Sequence, residues 1–145
     1  MRLWSAAVAV AFALVFGAAS AQAAPFVYVT TNDGVFEYEI GAGGQLAPLV
    51  PASVAAGLRP LGVAVSPDGK NVYVTVADNS SPTSSYSVSQ YDVGAGGALS
   101  PKNPATVTLG VSPSAVVVSP DGRSVYVVSE DTYLGSIAVF RRLAR

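Results

Sequence analysis

Cysteine and histidine are both absent from the 145 residues. No disulfide can form, so the fold must be held by packing, and a catalytic thiolate, a Ser-His-Asp triad and the usual zinc sites are excluded. Charge is scarce as well, at 12% of residues. Between positions 25 and 140 the bases are Arg59, Lys70, Lys102 and Arg123, against all nine acidic residues, while Arg141, Arg142 and Arg145 lie in the last five positions. An acidic body without a basic stripe argues against a nucleic-acid partner. No calcium loop of the DxDxDG type occurs, and neither a metal nor a cofactor is expected. Hydrophobic residues, by contrast, make up 50% of the chain, which argues against disorder.

Part of that apolar excess is concentrated at the N-terminus. Arg2 precedes the run LWSAAVAVAFALVFG, Leu3 to Gly17, and the small residues AASAQAA follow. These are the charged, apolar and cleavage regions of a secretory signal peptide, expected over residues 1–24 with cleavage after Ala23 or Ala24. The expected location is secreted or extracytoplasmic, with no membrane span left after cleavage. The alternative is an uncleaved anchor, because Leu3 to Ala24 is just long enough to cross a bilayer. The remaining 25–145 is about the size of one small domain.

Self-comparison yields a single dominant offset. YEIGAGGQLAPLVPASV, Tyr38 to Val54, matches YDVGAGGALSPKNPATV, Tyr91 to Val107, at 10 of 17 positions. PLGVAVSPDGKNVYV, Pro60 to Val74, matches PSAVVVSPDGRSVYV, Pro113 to Val127, at 10 of 15, and both offsets are 53 residues. A third, weaker copy begins at FVYVTTNDGVFEYEI. Tyr28 lies 10 residues before Tyr38 whereas Tyr73 lies 18 before Tyr91, so the second copy carries an insertion within VADNSSPTSSYSVSQ, a stretch of loop composition.

Within each unit the pattern is β throughout: Val63, Val65, Val72 and Val74 alternate with smaller or polar residues, and Gly, Pro, Asp and Asn cluster between the runs. Four strands are expected in the second unit, near Leu61 to Ser66, Asn71 to Val76, Tyr86 to Val93 and Leu99 to Val107. The first unit starts at the equivalent of the second strand, and the third runs Ala115 to Ser119, Ser124 to Ser129 and about Gly135 to Arg141. Four short antiparallel strands repeating every 40 to 50 residues or so point to an all-β fold of β-propeller-type blades. The units are a partial blade at about 25–55, a full blade at 60–107 and a partial blade at 113–141. A β-sandwich is the alternative, although it requires no self-match.

The recurrent motifs read as turns. In Pro67-Asp68-Gly69 and Pro120-Asp121-Gly122, proline pre-sets φ, aspartate bonds nearby amides and glycine supplies a positive φ. GAGG, at Gly41 to Gly44 and Gly94 to Gly97, lacks the following helix and the Lys and Ser/Thr of a phosphate loop, and reads as a hairpin turn.

Taken together, Pro60, Val63 to Gly69, Val72 to Thr75, Tyr91 to Val93 and Leu99 to Pro101 resemble the YVTN-repeat and lactonase-like, seven-bladed β-propellers. The resemblance covers nearly all of Phe26 to Phe140. It implies a propeller fold, and members of that broad family include sugar-lactone hydrolases of the 6-phosphogluconolactonase type as well as exported binding or surface proteins.

Closed propellers have about four to eight blades, and the repeat supplies about 2.3. Three readings follow: a fragment of a longer propeller, several copies of the chain completing one ring, or an open stack. The expected function is a secreted binding or scaffold module, with a small molecule or carbohydrate as ligand; the alternative is a lactone hydrolase. By blade geometry the site lies among loops before the first strand and after the second. Candidate ligand contacts are Asn32, Asp33, Asn79 and Glu130. In the hydrolase reading Arg59 polarises the ester carbonyl and Asp78 or Asp131 activates water.

Overall fold

The computed structural model describes residues 25–79 and 85–129, and the strand course of 136–141. The expected signal peptide, 1–24, lies outside the described residues. Among those residues there is no helix. Ten strands follow one another: β1 (Phe26–Thr31), β2 (Gly34–Ile40), β3 (Leu46–Val54), β4 (Pro60–Val65), β5 (Asn71–Asp78), β6 (Ser85–Val93), β7 (Leu99–Leu109), β8 (Pro113–Val118), β9 (Ser124–Ser129) and β10 (Ser136–Arg141). They form three antiparallel sheets of sequential strands: β1-β2-β3, β4-β5-β6-β7 and β8-β9-β10. Three stacked sheets rule out the two-sheet sandwich and make the chain a run of propeller-like blades. The first sheet does begin with the counterpart of β5, as the repeat implied.

Each sheet is a meander, and in the second and third the first hairpin is closed by the serine-proline-aspartate-glycine turn, whose place in the first sheet is taken by Thr31 to Gly34. In the second sheet the Gly69 amide donates to the Ser66 carbonyl and the Ser66 amide to the Asn71 carbonyl, both at 2.8 Å. The Asp68 carboxylate accepts from the Ser66 hydroxyl and, at 3.1 Å, from the Lys70 amide. The third sheet repeats this with Ser119, Asp121 and Arg123, and those two hydrogen bonds hold the Asp121 carboxyl below its ordinary range. Aspartate therefore ties the turn to itself, which accounts for both copies without a ligand.

Burial falls from the inner strands to the outer ones. In β5, NVYVTVAD, seven of eight residues are buried, because sheets cover it on both sides. Side chains alternate between the faces of a strand, so Val72, Val74 and Val76 join Tyr28, Val35 and Tyr91 in a core between the first two sheets. Tyr73, on the other face, packs with Val88, Val116, Val125 and Val127 between the second and third. Such a strand reads as a continuous apolar run. The outer strands β3 and β7 are mostly exposed, with buried ends in β7 at Leu99 and Leu109.

Polar bonds cross the seams as well. The Thr30 hydroxyl of β1 donates to the Leu61 carbonyl of β4 at 2.8 Å. Leu61 is followed by Gly62, where a Cβ would stand 3.2 Å from the Ala115 Cα of β8, so the inner strands pack at backbone distance.

Candidate functional site

Those sequence-predicted residues that the structure describes share one rim of the stack. Asn32 and Asp33 form the exposed turn after β1, Arg59 immediately precedes β4, Asp78 ends β5 and Asn79 follows it. Two hydrogen bonds bring these positions together: the Ala77 amide donates to the Arg59 carbonyl at 3.2 Å, and the Thr30 hydroxyl donates to the Leu61 carbonyl as described. Arg59 has φ +52, an uncommon conformation for a residue other than glycine, and its side chain is exposed. The Asp33 amide is held by the Thr31 hydroxyl at 3.2 Å. Glu130 and Asp131, the third-sheet candidates, lie outside the described residues.

A pocket of about 160 Å³ lies beside this rim, not on it. Its floor comes from Ala55, Ala56 and Gly57, two residues before Arg59, and its walls from β6 and β7. There the β6/β7 register shifts between Ser89 and Tyr91, which parts the strands and opens the space. The Tyr91 hydroxyl donates to the Ala55 carbonyl at 2.6 Å and the Ser89 hydroxyl to the Ala56 carbonyl at 3.2 Å, so these hydroxyls are committed to holding the β3–β4 loop. The remaining wall is Ser87, Pro101, Ala105 and Thr106. No charged side chain lines the pocket, and its surface is largely apolar.

The ionisable groups whose pKa is raised lie inside the first seam, and of them only Tyr91 also borders the pocket. Glu37 of β2 is fully buried, and its two carboxylate oxygens accept from one donor, the Leu99 amide, at 3.3 Å each. Burial pushes its pKa up, and the Leu99 hydrogen bond only partly opposes this. The buried Tyr28 hydroxyl donates to the Gly97 carbonyl at 2.6 Å; burial first, and then the nearby Glu37 charge, raise its pKa far above the ordinary value. Tyr91 is raised by burial and by Glu37, against a lowering hydrogen bond with Ser89.

Tyr28 and Glu37 hold the second-sheet GAGG turn and the start of β7, whereas Tyr91 holds the β3–β4 loop. Gly97 has φ +82, and a Cβ there would stand 2.4 Å from the Phe26 ring. Neither Glu37 nor Tyr28 was a sequence candidate, because each sits in an ordinary strand position and finds its partner more than 60 residues away. The only local signal was the repetition of GAGG itself. This set is sealed from solvent and bonded to backbone, so its work is to join sheets. Among the described residues, no three Asp or Glu side chains gather as metal ligands.

Comparison with known proteins places this geometry in context. No protein-family model matches the chain, and no curated protein does. Among solved structures it is similar to a protein provisionally assigned as a 6-phosphogluconolactonase, from Bacteroides fragilis, with a TM-score of 0.58 and 15% identity over 87% of this chain. The match spans 38% of that longer protein. In fold, then, this chain is similar to somewhat over a third of that propeller-like structure.

Proposed function

We propose that the protein is an exported, propeller-like binding module whose loop rim takes a small polyhydroxylated ligand. Export rests on the Arg2, Leu3–Gly17 and Ala21/Ala23 pattern. The observation that carries the binding reading is the rim: Asn32, Asp33, Arg59 and Asp78 are drawn to one edge by the Thr30–Leu61 and Ala77–Arg59 bonds, beside an uncharged pocket. Hydroxyls and amides suit sugar hydroxyl groups, and Arg59 suits a carboxylate or an ester carbonyl. The test is calorimetric titration of the purified protein with a panel of aldonic acids and sugars. Binding that Arg59→Ala weakens by about tenfold or more supports the reading; no binding across the panel removes it.

A second reading, lactone hydrolysis, is favoured by the structural similarity to the Bacteroides fragilis protein. Water, deprotonated by Asp78 or Asp131, would add to the carbonyl carbon while Arg59 holds the developing oxyanion. The ring C–O bond then breaks, the proton taken up by the carboxylate passes to the departing ring oxygen, and the hydroxy acid results. Turnover of a lactone panel, lost in Arg59→Ala, supports this version, and turnover indifferent to Arg59 rejects it.

A further inference from the structure

The two end faces of the stack are counterparts of faces that are covered inside it. On the third sheet Ala115, Val117, Tyr126 and Val128 form an exposed patch, joined by the cross-strand pairs Val117↔Tyr126 and Ala115↔Val128. Val117 is 56% exposed and Val128 38%. One repeat earlier the same positions are Gly62, Ala64, Tyr73 and Thr75. There the third sheet covers them: Tyr73 is 3% exposed and Thr75 fully buried, and Gly62 lies against Ala115.

The outer face of the first sheet is matched in the same way. Val72, Val74, Tyr91 and Leu99 are the residues with which the second sheet meets the first. Their counterparts are Val27, Val29, Tyr38 and Leu46, identical at all four positions. Tyr28 faces the second sheet, so Val27 and Val29 face away from it, and the pairs Val27↔Tyr38 and Ile40↔Leu46 put Tyr38 and Leu46 on that outer side. Leu46 is 49% exposed where Leu99 is 8%. Val27 is already covered and Val29 and Tyr38 are half-buried, so the open part of this face is its outer edge, at Leu46.

We propose that the patch of Ala115, Val117, Tyr126 and Val128 receives the outer face of the first sheet of a second copy of this chain, head to tail. The seam continues two that the chain already contains: a tyrosine-bearing face below, a face of valine, tyrosine and leucine above. Because the two faces differ, the contact is heterologous, and repeated association closes a ring or runs on. Joining separate chains obeys mass action. Association is therefore concentration-dependent.

The experiment measures the mass of the full purified chain by light scattering across a concentration series. Leu46→Asp blocks the head face alone and Val117→Asp the tail face alone, with Val128→Asp in reserve if Val117→Asp loses its β-sheet circular dichroism. Each variant is expected to weaken self-association by at least about tenfold. Mixing Leu46→Asp with Val117→Asp leaves one intact seam between unlike chains and is expected to restore association, but only to a dimer. A folded chain that stays monomeric throughout the series overturns the proposal. So does association that the substitutions leave unchanged, or a mixture in which no dimer returns.

Discussion

Replacing Glu37 by glutamine tests how the first seam is held. The carboxylate is fully buried and has one backbone donor, where water would satisfy every lone pair. Burying an ionised carboxylate costs several kcal/mol even after relaxation, and a hydrogen bond to a charged acceptor offsets about 1.5–3 kcal/mol of it. A net penalty on the order of 2 kcal/mol therefore remains whenever Glu37 is ionised in the fold. Its folded pKa is raised above the ordinary 4.5. Below that value the group is protonated in both folded and unfolded chains and the penalty is absent. As pH rises past it the unfolded chain ionises first, and stability falls until the folded value is passed. Glutamine keeps an acceptor for the Leu99 amide without ionising, and it is the residue the repeat places at the counterpart, Gln90. The stability of Glu37→Gln relative to the parent is therefore expected to grow between pH 4 and pH 8 by about 2 kcal/mol, or roughly 8 °C in Tm for a chain of this size. Chemical and thermal denaturation of both proteins at several pH values gives the difference directly and cancels all other titrating groups. A difference that stays constant over this range would refute the reasoning, since it would mean that Glu37 is not buried as an ion.

The same seam makes two further claims. Tyr28→Phe and Tyr91→Phe each remove a 2.6 Å bond to a backbone carbonyl, at Gly97 and Ala55 respectively, and each is expected to lower unfolding free energy by about 1–3 kcal/mol; a loss below the error of denaturant titration would discount those bonds. Gly97→Ala and Gly44→Ala change the same position of the two GAGG turns, with φ +82 and +80. At Gly44 nothing lies within 4 Å of the added Cβ, so only backbone strain of about 1–2 kcal/mol is expected, whereas at Gly97 the Phe26 ring stands in the way. Equal Tm losses for the two would show that the second-sheet turn is not docked on β1.

What could be read along the chain was whatever is encoded locally. The valine and tyrosine alternation placed the strands, and turn chemistry placed the hairpins: the Asp68 and Asp121 turns form as the sequence implied, each carboxylate bonded within its own loop. The strand-end positions of Asn32, Arg59 and Asp78 followed too, because the repeat orders those ends on one side. The pocket did not, since it depends on a register shift in β6/β7 that no composition announces.

The sequence by itself thus determined strand order, turn identity and the number of repeats, all of which follow from periodicity and from the φ preferences of a few residues. Only the tertiary structure decided what the sheets do to one another. Glu37 sits in a strand, where a charged residue ordinarily faces water, yet it is buried because the following sheet brings a backbone amide to it from 62 residues away. Tyr126 and Tyr73 occupy equivalent places in the repeat, yet one is 37% exposed and the other 3%. The difference is a neighbouring sheet, and the covering of a face depends on what packs against it, which the residues of that face do not encode.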